Sequence, residues 1–192
     1  MPNVDQELEK ARESKFYAHF DMTHGYWQFL VHSDDQETQS IITPDGIFTP
    51  RRLLHGNFNA NSHLQASLVS AMSPRLKNRL LLWVDDMVIP GVKLEQFLSD
   101  ICDLLDLCAI LNLKLHPGKC HLYRTSVVWC GRELSPQGIR YDPRQLKTLE
   151  AMPTPSSPSE LLHFSSAMQW LRQSVPNFTS LMKPLLAALE RA

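Results

Sequence analysis

The sequence predicts an α+β fold, an antiparallel sheet with helices packed on one face, followed by a small helical tail. Three observations predict it. Short apolar stretches alternate, or bracket acids, in the manner of strands. Two longer segments place apolar residues at helical spacing. A proline- and serine-rich stretch at 152–159 (MPTPSSPS) separates the tail from what precedes it. Residues 1–151 are expected to form the main body, and 152–192 a linker and helical segment.

The elements follow in order. Residues 4–13 are polar and helix-favouring, with Val4, Leu8 and Ala11 at helical spacing. Residues 15–21 (KFYAHFD) alternate, with Phe16, Ala18 and Phe20 on one side, a strand that ends on Asp21. Residues 26–31 (YWQFLV) read as a second strand. Pro44-Asp45-Gly46 reads as a hairpin turn, because proline presets φ and glycine accepts φ > 0. Residues 61–72 carry Leu64, Leu68 and Met72 at a spacing of four, a helix with Pro74 beyond its end. Residues 80–89 (LLLWVDDMVI) are two short apolar runs around Asp85-Asp86. Residues 94–111 form an amphipathic helix through Leu94, Phe97, Ile101, Leu104 and Cys108. Residues 122–134 read as a strand hairpin, with Pro136 and Gly138 in a further turn. Ser157, Pro158 and Glu160 fit the N-cap, N1 and N3 positions of a capping box. A short helix at 178–190 ends the chain.

With 192 residues, 43% hydrophobic and 20% charged, the chain is long enough to bury a core. A formal net charge of −1 argues against a surface given over wholly to phosphate neutralisation, yet permits a local basic groove. The four cysteines, Cys102, Cys108, Cys120 and Cys130, form no C-x-x-C pair, which points to a reducing, cytoplasmic or nuclear setting. No apolar run approaches the ~20 residues of a membrane span, and no leader opens the chain.

The chemistry lies in the acids. Adjacent carboxylates inside an apolar stretch cost several kcal/mol per ion unless something offsets their charge. Successive strand residues face opposite ways, so the Asp85-Asp86 pair fits best at a hairpin tip. An ordinary Asp-Asp turn explains the doublet as well as a metal site does. Asp21, at the end of its own strand, would meet Asp85 if the two strands lie side by side. Three carboxylates supply the hard oxygen ligands that suit Mg²⁺, and two such ions serve in-line phosphoryl transfer.

The runs FDMTHGYWQ (20–28), TPDGIFTPRRLLHG (43–56), WVDD (83–86), LKLHPGKC (113–120) and WCGRELSPQGIRYDP (129–143) come in one order. They resemble the reverse transcriptase of gypsy-like LTR retrotransposons and, more distantly, of retroviruses. The resemblance covers nearly all of residues 1–190, and PNFTSLMKPLLAAL (176–189) is similar to the segment that closes that domain. It implies the right-hand polymerase fold, with palm, partial fingers and a primer-grip hairpin in 1–151 and a thumb or connection segment in 152–192. It implies an RNA-directed DNA polymerase that adds dNTPs to a primer 3′-OH, using two Mg²⁺ ions or Mn²⁺ in their place. Its partners would be an RNA or DNA template-primer, dNTPs and the remaining Pol segments: protease, ribonuclease H and integrase. No membrane is implied.

Residue by residue, the resemblance makes Asp21, Asp85 and Asp86 the metal-binding and catalytic carboxylates. Lys119 matches a lysine that protonates the pyrophosphate leaving group. Tyr26 matches the ring that excludes a ribose 2′-hydroxyl, His55 and Gly56 a turn near the nucleotide, and Gln65 a glutamine on the following helix. Trp129, Cys130 and Gly131 match the hairpin that grips the primer end. There are departures. Trp83 stands where the family has tyrosine, and Leu53-Leu54-His55-Gly56 where it has M-P-F-G. Thr38 and Ile42 replace the basic residues that meet the triphosphate, leaving Arg51 and Arg52 nearest, and the earlier fingers strands are absent. These departures support an alternative: an inactive or domesticated retroelement fragment that binds nucleic acid or protein. A zinc module on His116, Cys120 and His121 lacks tetrahedral ligand spacing.

Overall fold

The structure, a computed structural model, describes residues 2–172 and 174–191. The described residues form seven α-helices: α1 (Val4–Glu9), α2 (Ser33–Gln36), α3 (Ala60–Leu76), α4 (Leu94–Ile110), α5 (Pro143–Glu150), α6 (Pro158–Met168) and α7 (Phe178–Leu189). The strands are β1 (Phe16–Asp21), β2 (Ile41–Thr43), β3 (Gly46–Phe48), β4 (Leu81–Trp83), β5 (Asp86–Gly91), β6 (His121–Arg124), β7 (Val127–Trp129), β8 (Arg132–Ser135) and β9 (Gly138–Tyr141). Short 3₁₀ turns occupy Gly25–Gln28, Glu37–Gln39 and Gln169–Leu171.

The central sheet is antiparallel, in the order β4-β5-β1-β6. Strand alternation sorts its residues onto two faces. Ala18, Phe20, Leu82, Met87 and Ile89 join Leu64, Leu68 and Met72 of α3 and Phe97, Ile101 and Leu104 of α4 in the larger core. Tyr17, Leu81 and Val88 face the other way and pack with Leu8 and Ala11 near α1 and with Trp129 and Leu134 of the β7–β8 hairpin. The helices α3 and α4 therefore cover one face, as the fold class requires, and a smaller cluster covers part of the other. That second face keeps His19, Asp21 and Asp86, which β1 and β5 alternate with the buried residues.

The segment 26–31 is not a strand. His24 takes the left-handed conformation at φ 50°, and Gly25–Gln28 then coil into a 3₁₀ turn. Gln28 explains the departure: its amide nitrogen donates to the Thr23 and Lys114 carbonyls at 2.6 and 2.9 Å. Its oxygen accepts from the Lys114 N–H at 2.6 Å. Side-chain bonds to the backbone thus take the place of a ladder. Helix α3 also runs two residues past Pro74 instead of stopping before it. Helix α5 went unread in the sequence, although Asp142 caps it from 3.0 Å and proline opens it.

The chain divides into two compact units, the first ending at Arg140 and the second beginning at Tyr141. The division falls earlier than the composition change at 152–159, so α5 belongs with the tail. In the second unit Ser157 caps α6 and Pro158 occupies its first turn, while Ser174 Oγ donates to the Tyr141 hydroxyl at 2.6 Å. Among the described residues no helix is long and apolar enough to cross a membrane.

Candidate active site

The site is built on the ends of β1, β4 and β5. Asp21 and Asp86 are direct partners across the antiparallel β1–β5 ladder, so their side chains leave the same face. Trp83 pairs with Asp86 across β4–β5, which leaves Val84 and Asp85 as a two-residue hairpin loop. Val84 stands at φ 56°, the positive value that a primed hairpin turn demands and that glycine would normally supply. The acidic doublet therefore lies at a hairpin tip, where neither carboxylate has to enter the core.

The tip is held from below. Gln65, buried on α3, accepts from the Val84 N–H at 2.6 Å and donates to the Leu82 carbonyl at 3.1 Å. The Met22 N–H donates to the Asp85 carbonyl at 3.2 Å, tying the loop to the chain just after Asp21. Gly25 closes over it: a Cβ there would stand 2.9 Å from the Asp85 Cβ.

The carboxylates are electrostatically linked. Burial pushes the Asp85 carboxyl up, a bond from its own backbone N–H opposes this, and the negative charges of Asp21 and Asp86 raise it further while Lys119 lowers it. Lys119 Nζ lies 3.2 Å from Asp21 Oδ1, and His19 Nε2 lies 2.5 Å from Asp86 Oδ1. His19 is raised above the ordinary histidine value, chiefly by its bond to Asp86. As placed, no three His, Cys, Asp or Glu side chains among the described residues converge closely enough to hold an ion. The donor chemistry nevertheless fits a hard divalent cation. The candidate donors are oxygens, and the repulsion that adds to burial in raising Asp85 is what such a cation would relieve.

The remaining sequence-expected residues divide into groups. Tyr26 and His55 come together, edge to face, with ring centroids 4.9 Å apart. The Tyr26 hydroxyl donates to Asn61 Oδ1 at 2.5 Å, and its pKa is raised by burial and then by the Asp85 charge. Gly56 follows His55 at φ 95°. Gln65 is placed apart from this pair, with both ends of its amide committed to the hairpin backbone.

Trp129 is buried, and Cys130 and Gly131 form the β7–β8 turn with φ 47° and 74°, a tight loop between the paired Trp129 and Arg132. Burial, and secondarily the Asp86 charge, push the Cys130 thiol up to about 12, so this turn lies within electrostatic reach of the acids. His116, Cys120 and His121 do not assemble a zinc site: Cys120 Sγ approaches the Asp21 carbonyl at 3.9 Å, and Arg124 engages His121. His19, Gly25 and Asn61 were not singled out in the sequence. The signal for Gly25 was its place in FDMTHGYWQ; His19 and Asn61 carried none.

No protein-family model matches the chain. It is 25% identical over 191 residues to the retrovirus-related Pol polyprotein from transposon 297 of Drosophila melanogaster, all of this chain and 18% of that protein. It is 23% identical over 190 residues to the Pol polyprotein from transposon gypsy of the same fly, again 18% of that protein's length. The chain thus spans less than a fifth of these relatives. Among solved structures, it superposes on the foamy viral protease-reverse transcriptase in complex with double-stranded DNA at TM-score 0.87. That match has 18% identity and covers all of this chain and 34% of the other. The same viral protein with an RNA/DNA hybrid gives TM-score 0.84 at 20% identity, covering 97% of this chain and 25% of that one. In sequence the chain resembles retrotransposon Pol polyproteins, and its fold is that of a reverse transcriptase. The antiparallel β4-β5-β1-β6 sheet, with α3 and α4 on one face, matches the fold of that solved structure.

Proposed function

We propose that the domain is the palm-centred part of an RNA-directed DNA polymerase that adds dNTPs to a primer 3′-OH. The observation that carries this reading is the register of β1 against β5. It puts Asp21 opposite Asp86, with Asp85 at the adjoining hairpin tip. Asp21, Asp85 and Asp86 would hold two Mg²⁺ ions, or Mn²⁺, which would neutralise charge developing on the attacking and leaving oxygens.

The chain's own residues do the rest. Lys119 would supply the proton taken up by the pyrophosphate leaving group, and its 3.2 Å approach to Asp21 supports this role. The Tyr26 ring, held by Asn61 and His55, would exclude a ribose 2′-hydroxyl, and the Asp85 charge that reaches its hydroxyl supports this role. The Cys130-Gly131 turn, close to Asp86, supports a primer-positioning role for the β7–β8 hairpin. The foamy viral relatives solved with double-stranded DNA and with an RNA/DNA hybrid support a template-primer as the partner.

A second reading, an inactive fragment that binds nucleic acid or protein, is favoured by one observation. Lys119 and His19 already engage Asp21 and Asp86. Primer extension on an RNA template with Mg²⁺ decides between them. The polymerase reading expects extension by the wild type and a loss of at least about 10²-fold in Asp85→Asn, as for other preorganised charge-stabilising groups. Equal, background-level extension by both proteins selects the second reading.

A further inference from the structure

Beside the carboxylates, between the end of β6 and the start of β7, lies an open cleft of about 400 Å³. We propose that it binds a phosphate group. Its walls include His19, His121, Arg124, Thr125 and Ser126, and none of the side chains lining it is acidic.

The polar groups are arranged as donors. Arg124 Nη2 lies 3.4 Å from His121 Nδ1. A guanidinium can only donate, so His121 accepts at Nδ1 and carries its proton on Nε2, leaving that N–H to donate. The guanidinium keeps further N–H groups in a fork that matches phosphate oxygens. The exposed Thr125 and Ser126 hydroxyls add two rotatable donors at the bend between the strands.

His19 forms the inner wall. Its Nε2 is committed to Asp86 at 2.5 Å, so its ring stands between that carboxylate and the cleft. An anion there meets an imidazole edge rather than the Asp86 carboxylate. The site is local: the chain as a whole carries a formal charge of −1, so a general basic surface does not supply the attraction. A tetrahedral group with several acceptor oxygens uses donors of three kinds at once, which a planar carboxylate does less completely.

The same chemistry could come from one internucleotide phosphate of a nucleic acid or from the free inorganic ion. The experiment separates the two sources and requires no turnover, so its result stands apart from the polymerase assay. The histidine-ring resonances of the full chain are followed by NMR while inorganic phosphate, or a short blunt DNA duplex, is added. The proposal expects the His121 ring signals to move with at least one probe and to stop moving in Arg124→Ala.

If the source is a nucleic-acid backbone, Arg124→Ala also weakens duplex binding about fivefold and lowers the salt slope by about one. If the source is the free ion, phosphate moves His121 and duplex affinity is unchanged by the substitution. His121 signals unmoved by either probe, or moved equally in Arg124→Ala, overturn the proposal. Arg124 is exposed, and Arg124→Gln repeats the test with most of the side-chain volume kept.

Discussion

Gln65 shows how one side chain can govern a site it does not enter. Its amide joins α3 to the acidic hairpin through the Val84 N–H and the Leu82 carbonyl. Replacing it with leucine keeps the volume but strands both buried backbone groups. Gln65→Leu should lower stability by about 2–4 kcal/mol in urea titration. Gly25 offers a sharper separation of folding from chemistry. A methyl group there would meet Asp85 at 2.9 Å, so Gly25→Ala must displace the acid. Primer extension should fall steeply in this variant while the unfolding midpoint drops by no more than about 1–3 kcal/mol of stability. Loss of the fold itself would show that Gly25 matters to packing first. At this scale the acids were legible because carboxylates amid apolar residues are costly and conspicuous. Gln65 was legible only as a helix residue that resembled a family position. That it braces the hairpin depends on a contact across 19 residues of sequence, which no local pattern encodes.

Among the elements, those with strong local rules were read correctly. Pro44-Asp45 turns β2 into β3, which opens on Gly46, alternation marks β1, and the spacing in 94–111 marks α4. The segment 26–31 satisfies a strand pattern by its apolar residues, but Gln28 within it bonds instead to Thr23 and Lys114 outside it. The start of α6 follows its sequence closely, with a variation. Glu160 Oε2 accepts from both the N–H and the hydroxyl of Ser156, at 2.8 Å each, one residue before the cap. Ser157→Ala should cost about 1 kcal/mol by thermal or urea unfolding. The bonds from Ser156 hold the Glu160 carboxyl below its ordinary range. A lowered folded-state pKa contributes stability above the ordinary glutamate value and loses it as pH falls through the folded one. Glu160→Gln should therefore narrow the stability difference between neutral and acid pH, and an unchanged difference would show that this carboxyl is not linked to folding.

For the whole molecule, the fold class was within reach of the sequence, whereas the division into units was not. Proline and serine content drew attention to 152–159, but the contacts divide the chain at Arg140 and Tyr141. Composition reports where a chain cannot pack; it does not report to which neighbour a short helix such as α5 commits. The β2–β3 ribbon has a different consequence. Ile42 and Ile47 are paired on one face and Ile41 and Phe48 on the other, and all four are exposed, Ile42 by 82%. Two strands with apolar residues on both sides and unpaired outer edges make an adhesive tab in water. Samples of this chain should thus cloud or sediment as concentration rises, and sooner in sulfate-rich buffer, with lysine at positions 42 and 47 keeping them clear.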